Sequence, residues 1–144
     1  MTIDFTIPGN PQGKARARTF YNTRVKHMSS ITPEKTVLYE NLIKTRCLEA
    51  LEHQTLPFTI FEGPLDVTIK CFFAPPKSTS KKVRKKMLDS EILPTKKPDI
   101  DNICKVVLDA LNGIAYKDDT QVVQLQMEKL YNDEPYVRVW ISEM

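Results

Sequence analysis

The chain has 144 residues, 41% of them hydrophobic and 27% charged, with ten prolines against four glycines. That composition suits one globular domain spanning residues 1–144 and excludes collagen, a coiled coil and wholesale disorder. No apolar run approaches the roughly 20 residues that cross a bilayer, and residues 1–14 have no basic leader before an apolar stretch, so a cytoplasmic protein without a membrane partner is expected. The net charge of +3 is unevenly spread, since residues 98–144 carry −5 and residues 1–97 carry +8. Such polarity predicts a basic surface for a polyanion and a separate acidic focus.

Ile3, Phe5 and Ile7 alternate with polar residues and predict a short first strand that Pro8 ends. A basic stretch follows, with Lys14, Arg16, Arg18, Arg24 and Lys26 interrupted by Phe20 and Tyr21. Without helical periodicity, it reads as a loop or an irregular hairpin. Thr32 is placed to cap a helix and Pro33 to open it, and Val37, Leu38, Leu42, Cys47, Leu48 and Leu51 continue it as an amphipathic helix to about His53. Val67, Ile69, Cys71 and Phe73 then alternate as a second strand, stopped by Pro75 and Pro76. Residues 77–88 form a basic segment that could be a short helix capped by Ser78 or Ser80.

Ile100, Ile103, Val107, Leu111 and Ile114 fall on one helical stripe, with Asp99 or Asp101 as cap and Gly113 at the end. After a loop at residues 116–120, a third strand has Val123, Leu125 and Met127 inward. A turn at residues 132–135 leads to a fourth strand with Val137, Val139 and Ile141. The order is β-α-β-(basic segment)-α-β-β, with the last two strands expected to pair as an antiparallel hairpin. The fold class is α+β, with a small mixed or antiparallel four-stranded sheet and two main helices.

Several chemistries lack their residues. Cys47, Cys71 and Cys104 are odd in number, widely spaced and set among apolar neighbours, which suits reduced structural thiols. His27 and His53 have no metal-ligand spacing, and no phosphate-cradling glycine loop for a nucleotide cofactor occurs.

The informative stretch is Asp99-Ile-Asp101-Asn-Ile-Cys-Lys105, followed by Asp118-Asp119. Extended chain puts Asp99 and Asp101 on one side just before a helix, and Lys105 shares the face of Asp101 one turn on. Tertiary folding alone can bring the loop carboxylates to them. Clustered carboxylates repel one another unless a cation is present, and magnesium takes such oxygen ligands together with water and phosphate. A lysine beside them can stabilise phosphate charge, so the parts fit metal-assisted phosphodiester hydrolysis. The same residues also admit plainer roles. Asp99 could cap the helix, Asp101 and Lys105 could form a surface ion pair, and Asp118-Asp119 could be a polar turn.

The run from Lys97-Pro-Asp99 through Asp109-Ala-Leu-Asn112-Gly, then Tyr116-Lys-Asp118-Asp119-Thr-Gln121-Val, closely resembles the core of the RusA family of Holliday junction resolvases. Gly13-Lys-Ala-Arg16-Ala-Arg18 and the Thr32-Pro33 helix start resemble the family more weakly. The resemblance implies a small homodimeric endonuclease that cuts four-way DNA junctions by paired nicks with Mg2+, for which Mn2+ could substitute. It also implies metal ligands at Asp99, Asp101 and Asp119, with Asp118 as an alternative neighbour, and a catalytic lysine at Lys105. Asp109 is expected to support Lys105 at i,i+4 spacing, and Gln121 to shape the acidic loop.

Expected phosphate contacts are Lys14, Arg16, Arg18, Lys81, Lys82, Arg84, Lys85 and Lys86. Phe20 and Tyr21 are the candidates for stacking on exposed bases. The basic stretch between Pro75 and Pro98 is longer than in compact family members. Two other readings use the same residues: a non-catalytic DNA-binding recombination protein, and a nuclease for other branched DNA.

Overall fold

The computed structural model describes residues 1–16 and 18–144. The first alternation becomes β1 (Thr2–Pro8), with Ile3, Phe5 and Ile7 buried. The basic stretch is a hairpin of β2 (Arg18–Asn22) and β3 (His27–Ile31), separate from the main sheet. The first helix, α1, runs Glu34–Glu52 with Pro33 as its cap residue and no side-chain capping bond. Thr32 therefore does not cap it. The chain is still extended at Pro33, whose carbonyl accepts the N–H groups of Thr36 (3.0 Å) and Val37 (3.2 Å).

The buried stripe of α1 is Thr36, Tyr39, Ile43 and Cys47, at three- and four-residue spacing. Val37, Leu38 and Leu48 of the expected stripe are exposed. The helix carries apolar residues on two sides, and packing against β1 chooses between them.

β4 (Leu65–Phe73) buries every second side chain, α2 (Lys81–Leu88) is capped by Ser80, and α3 (Ile100–Ala110) buries Ile103, Val106, Val107 and Ala110. A 3-10 turn at Asp119–Gln121 leads into β5 (Val122–Tyr131), and β6 (Tyr136–Glu143) ends the fold. The class is α+β, with one mixed four-stranded sheet in the order β1-β6-β4-β5. No helix among the described residues is long and apolar enough to cross a membrane.

The expected β5–β6 hairpin does not form. β5 pairs in parallel with β4, matching Val67 to Leu125 and Ile69 to Met127, while β6 pairs antiparallel with the opposite edge of β4 and with β1. The α2–α3 crossover makes the parallel pairing possible. The short turn after β5 then crosses the end of β4, where Asn132 N–H donates to the Phe73 carbonyl at 2.9 Å. Burial explains the choice. Val137, Val139 and Ile141 of β6 are fully buried, and a strand with that side-chain row is most stable between two others.

β5 is left at the sheet edge, with an irregularity opposite Leu65 and Asp66. Val123 is skipped by the pairing there and is 63% exposed instead of facing inward, as a bulged residue does. Trp140 also lies outside the core, on the open sheet face, with the Arg138 guanidinium 4.3 Å from its ring centre.

One face of the sheet and the inner faces of α1 and α3 enclose the core. Cys47 and Cys71 are buried in it, and burial pushes both thiols up to about 12. An unfolded thiol ionises near 9.0, so the native state is favoured fully below that pH and loses this advantage as the pH rises to about 12. Urea unfolding midpoints should therefore fall between pH 9 and 12, and fall less steeply in Cys47→Ala. Equal slopes for the two proteins would contradict this account.

Candidate active site

The site is assembled at one end of α3. Asp99 is the cap residue, and its backbone carbonyl accepts the Ile103 N–H at 3.1 Å. Its carboxylate makes no capping bond and is left available. Asp101 lies in the first turn and is exposed, as is Lys105 one turn later. Neither makes an ion pair among the described residues, so the plain surface pair of Asp101 with Lys105 is not formed. The opposite side of the same helix carries the fully buried Ile103, Val106 and Val107, which fix its rotation.

The loop after β1 straps the start of α3. Lys14 N–H donates to the Asn102 carbonyl at 3.1 Å, and Ala15 N–H donates to Thr36 Oγ1 at 3.2 Å. Gly13 lets the strap lie close, because a Cβ there would stand 2.9 Å from the Asn102 Cβ. Lys14 Nζ donates to Asp109 Oδ2 at 2.7 Å and lies 3.7 Å from Glu40. That hydrogen bond to Asp109 is the main cause that holds the Lys14 ammonium above its ordinary pKa. Asp109 therefore pairs with Lys14 rather than supporting Lys105.

The acidic loop is anchored from below. Tyr116 is fully buried and donates from its hydroxyl to the Leu108 carbonyl at 2.6 Å. Gly113 adopts φ +78°, which lets the chain reverse after α3. Gln121 Nε2 donates to the carbonyls of Phe61 (2.9 Å) and Gly63 (3.0 Å), while its Oε1 accepts the Asp118 N–H at 3.0 Å. The Asp118 carboxylate accepts the Thr120 hydroxyl at 2.7 Å and so fastens the turn. Asp119 is half-buried and lies against Asp109. Desolvation first, then the Asp109 and Asp118 carboxylates, hold Asp119 above the ordinary carboxylate range, while a hydrogen bond with Asn112 opposes them.

The Cys104 thiol is raised by burial and then by the charges of Asp101, Asp109 and Asp119 together. Asp101 and Asp109 of α3 and Asp119 of the loop thus each bear on one half-buried side chain.

Residues 8–142 match the family of endodeoxyribonuclease RusA. The chain belongs to that family. It is also 39% identical over 144 residues to an uncharacterised protein, YqaN, of Bacillus subtilis (strain 168), an alignment covering 99% of this chain and 96% of the relative.

Hard oxygen donors at Asp99, Asp101 and Asp119 fit a divalent cation such as magnesium. Among the described residues no three His, Cys, Asp or Glu side chains stand close enough to enclose one. Magnesium commonly takes only one or two carboxylates and completes its shell with water and substrate phosphate.

The expected phosphate contacts separate into two groups. Arg16, Lys81, Lys82, Lys85 and Lys86 are exposed. Lys14 is engaged with Asp109, and Arg84 donates to Asp133 at 2.6 Å. The Arg18 side chain lies outside the described residues. The Lys14–Asp109 bond, across 95 positions, has no local sequence signature, and neither does the burial of Tyr116 beneath the loop.

Lys14→Met should lower stability by about 1–2 kcal/mol, because a part-buried carboxylate loses a charged hydrogen bond. Lys35→Met, an exposed lysine on α1, should stay within about 0.5 kcal/mol. Urea unfolding of both checks the pair, and equal effects would show that the Lys14 bond contributes nothing.

Proposed function

We propose that this protein is a magnesium-dependent, structure-selective endodeoxyribonuclease that resolves four-way DNA junctions by paired nicks and acts as a homodimer. The reading is supported by Asp101 on the exposed side of α3, by Asp99 at the adjoining helix start with no capping bond, and by Asp119 lying against Asp109, in a chain of the RusA family. Asp99, Asp101 and Asp119 would hold the cation. A bound cation supplies polarisation of the phosphodiester and activation of water.

The chain's own residues do the rest. Lys105 carries an unpaired ammonium one turn from Asp101 and offsets the charge that grows on the phosphate. Asp118 keeps the turn closed, so Asp119 rather than Asp118 is the loop ligand. Gln121 and Tyr116 fix that loop to the core, which limits the rearrangement needed on binding. The exposed lysines of α2 give affinity without sequence information. Two copies related by a two-fold axis would present two such sites to opposing strands of a junction, whose symmetry matches theirs.

A magnesium titration against labelled four-way, flapped and linear duplex DNA tests the reading, with Mn2+ expected to substitute. Asp101→Asn and Lys105→Ala should each keep junction binding and lose about 100-fold or more in cleavage. Asp119→Asn should lose cleavage comparably, and Asp118→Asn should stay within a few fold. Binding with no cutting of any substrate would support a non-catalytic DNA-binding protein. Cutting without preference for the four-way substrate would support a nuclease for other branched DNA.

A further inference from the structure

Among the described residues the β2–β3 hairpin makes no extensive contact with another strand or helix. It forms a two-stranded sheet of its own, and its apolar side chains face water: Phe20 is 40% exposed, Tyr21 57% and Met28 58%. A lone two-stranded ribbon is marginally stable in water, so such a surface implies an occupant. The occupant's chemistry is indicated by charge. Residues 18–31 hold Arg18, Arg24 and Lys26 and no acid, which complements a polyanion. Register sets the aromatic rings on opposite faces, since Tyr21 pairs with Met28 while Phe20 pairs with Ser29.

The ribbon is also rooted at the candidate active site. Its incoming strand follows the strap that bonds to Asn102 and Asp109, and its outgoing strand leads directly into α1. The Ala15 N–H to Thr36 Oγ1 bond ties these two roots together. The base of the ribbon therefore lies beside the start of α3.

We infer that the β2–β3 hairpin is a branch-reading arm: Phe20 and Tyr21 stack on bases unstacked at the crossover of a DNA junction, and Arg24 and Lys26 bind the flanking phosphates. This rests on the nuclease reading and adds to it the source of structural selectivity. An aromatic side chain accepts any base face, so the arm recognises an opened stack rather than a sequence. A continuous duplex offers no such face, and on it the arm contributes only its charges.

The test uses the full chain in EDTA, so that binding is read apart from cleavage, with a four-way junction carrying 2-aminopurine at the crossover and a linear duplex of the same length. Wild type should prefer the junction and change the 2-aminopurine fluorescence. The double variant Phe20→Ala/Tyr21→Ala should keep its melting temperature and its duplex affinity, lose about 10- to 100-fold in junction affinity, and abolish the fluorescence change. Phe20→Trp should retain both. Arg24→Gln/Lys26→Gln should weaken binding to both DNAs and reduce the salt slope by about 2.

An unchanged junction-to-duplex ratio in Phe20→Ala/Tyr21→Ala overturns the arm while leaving the nuclease reading intact. Dissociation of that variant from dimer to monomer in sedimentation overturns it too, because the ribbon would then clasp a second copy. A wild type that binds the junction no better than the duplex and cuts neither removes both readings.

Discussion

Helix α3 has to satisfy two environments that pull in opposite directions. One side presents Ile103, Val106, Val107 and Ala110 to a fully dry core. The other carries Asp101, Lys105 and Asp109 at four-residue spacing, with Asp99 at its cap. Burial of the apolar stripe is worth roughly 1.5–3 kcal/mol per large side chain, and this outweighs the mutual repulsion of carboxylates that are partly wet. The charged groups cannot relax by rotating the helix without lifting that stripe off the sheet. Their mutual spacing is thus imposed by the core, and the strap bonded to Asn102 and Asp109 and the loop bearing Asp119 are built onto that fixed edge.

The local features of this arrangement were legible in the residues themselves. The buried stripe Ile103, Val107 and Leu111, the helix start at Asp99, the Ser80 cap and the first strand all depend on neighbours within a turn or on strict alternation, and each is found, although Ile100 is exposed and Asp99 makes no capping bond. What was not legible is non-local. A short polar turn before β6 suggests a hairpin whatever lies beside the strands, but β6 lies between β1 and β4 instead. Apolar residues on two sides of α1 leave its inward face undecided until β1 packs against it. Asp109 has a lysine at i−4 in Lys105, yet its partner is Lys14, because the strap delivers an ammonium to within 2.7 Å. The RusA signature lay in a contiguous run and was readable for that reason, whereas the Gln121 anchor to Phe61 and Gly63 spans about sixty positions and was not.

Pairing in the folded chain also redistributes the charge asymmetry seen in the sequence. Lys14, Arg84, Lys117 and Arg138 are neutralised by Asp109, Asp133, Glu62 and Asp4. The bases outside these pairs include the four lysines of α2 and Arg24 and Lys26 of the β2–β3 ribbon. On α2, Lys81 with Lys85 and Lys82 with Lys86 are like-charged i,i+4 pairs, and each such pair weakens a helix by about 0.2–0.5 kcal/mol. An eight-residue helix has little propensity to spare for that repulsion. A phosphate backbone beside it would turn the repulsion into attraction, which is a physical reason for a polyanion-binding protein to keep the lysines together.

The same logic applies to the acidic side. Asp119 lies against Asp109, and burial together with that neighbour disfavours its charged form. A closed cage of three carboxylates would multiply this cost in the absence of a cation. The fold reduces it by leaving Asp99 and Asp101 in water and by giving Asp109 the Lys14 ammonium. The unmet donor capacity is then open to solvent, where a hydrated cation and a phosphate oxygen can both reach it. Under the proposed nuclease reading, such a site would bind its metal most firmly when DNA is present, since the substrate would provide the ligands that the protein withholds.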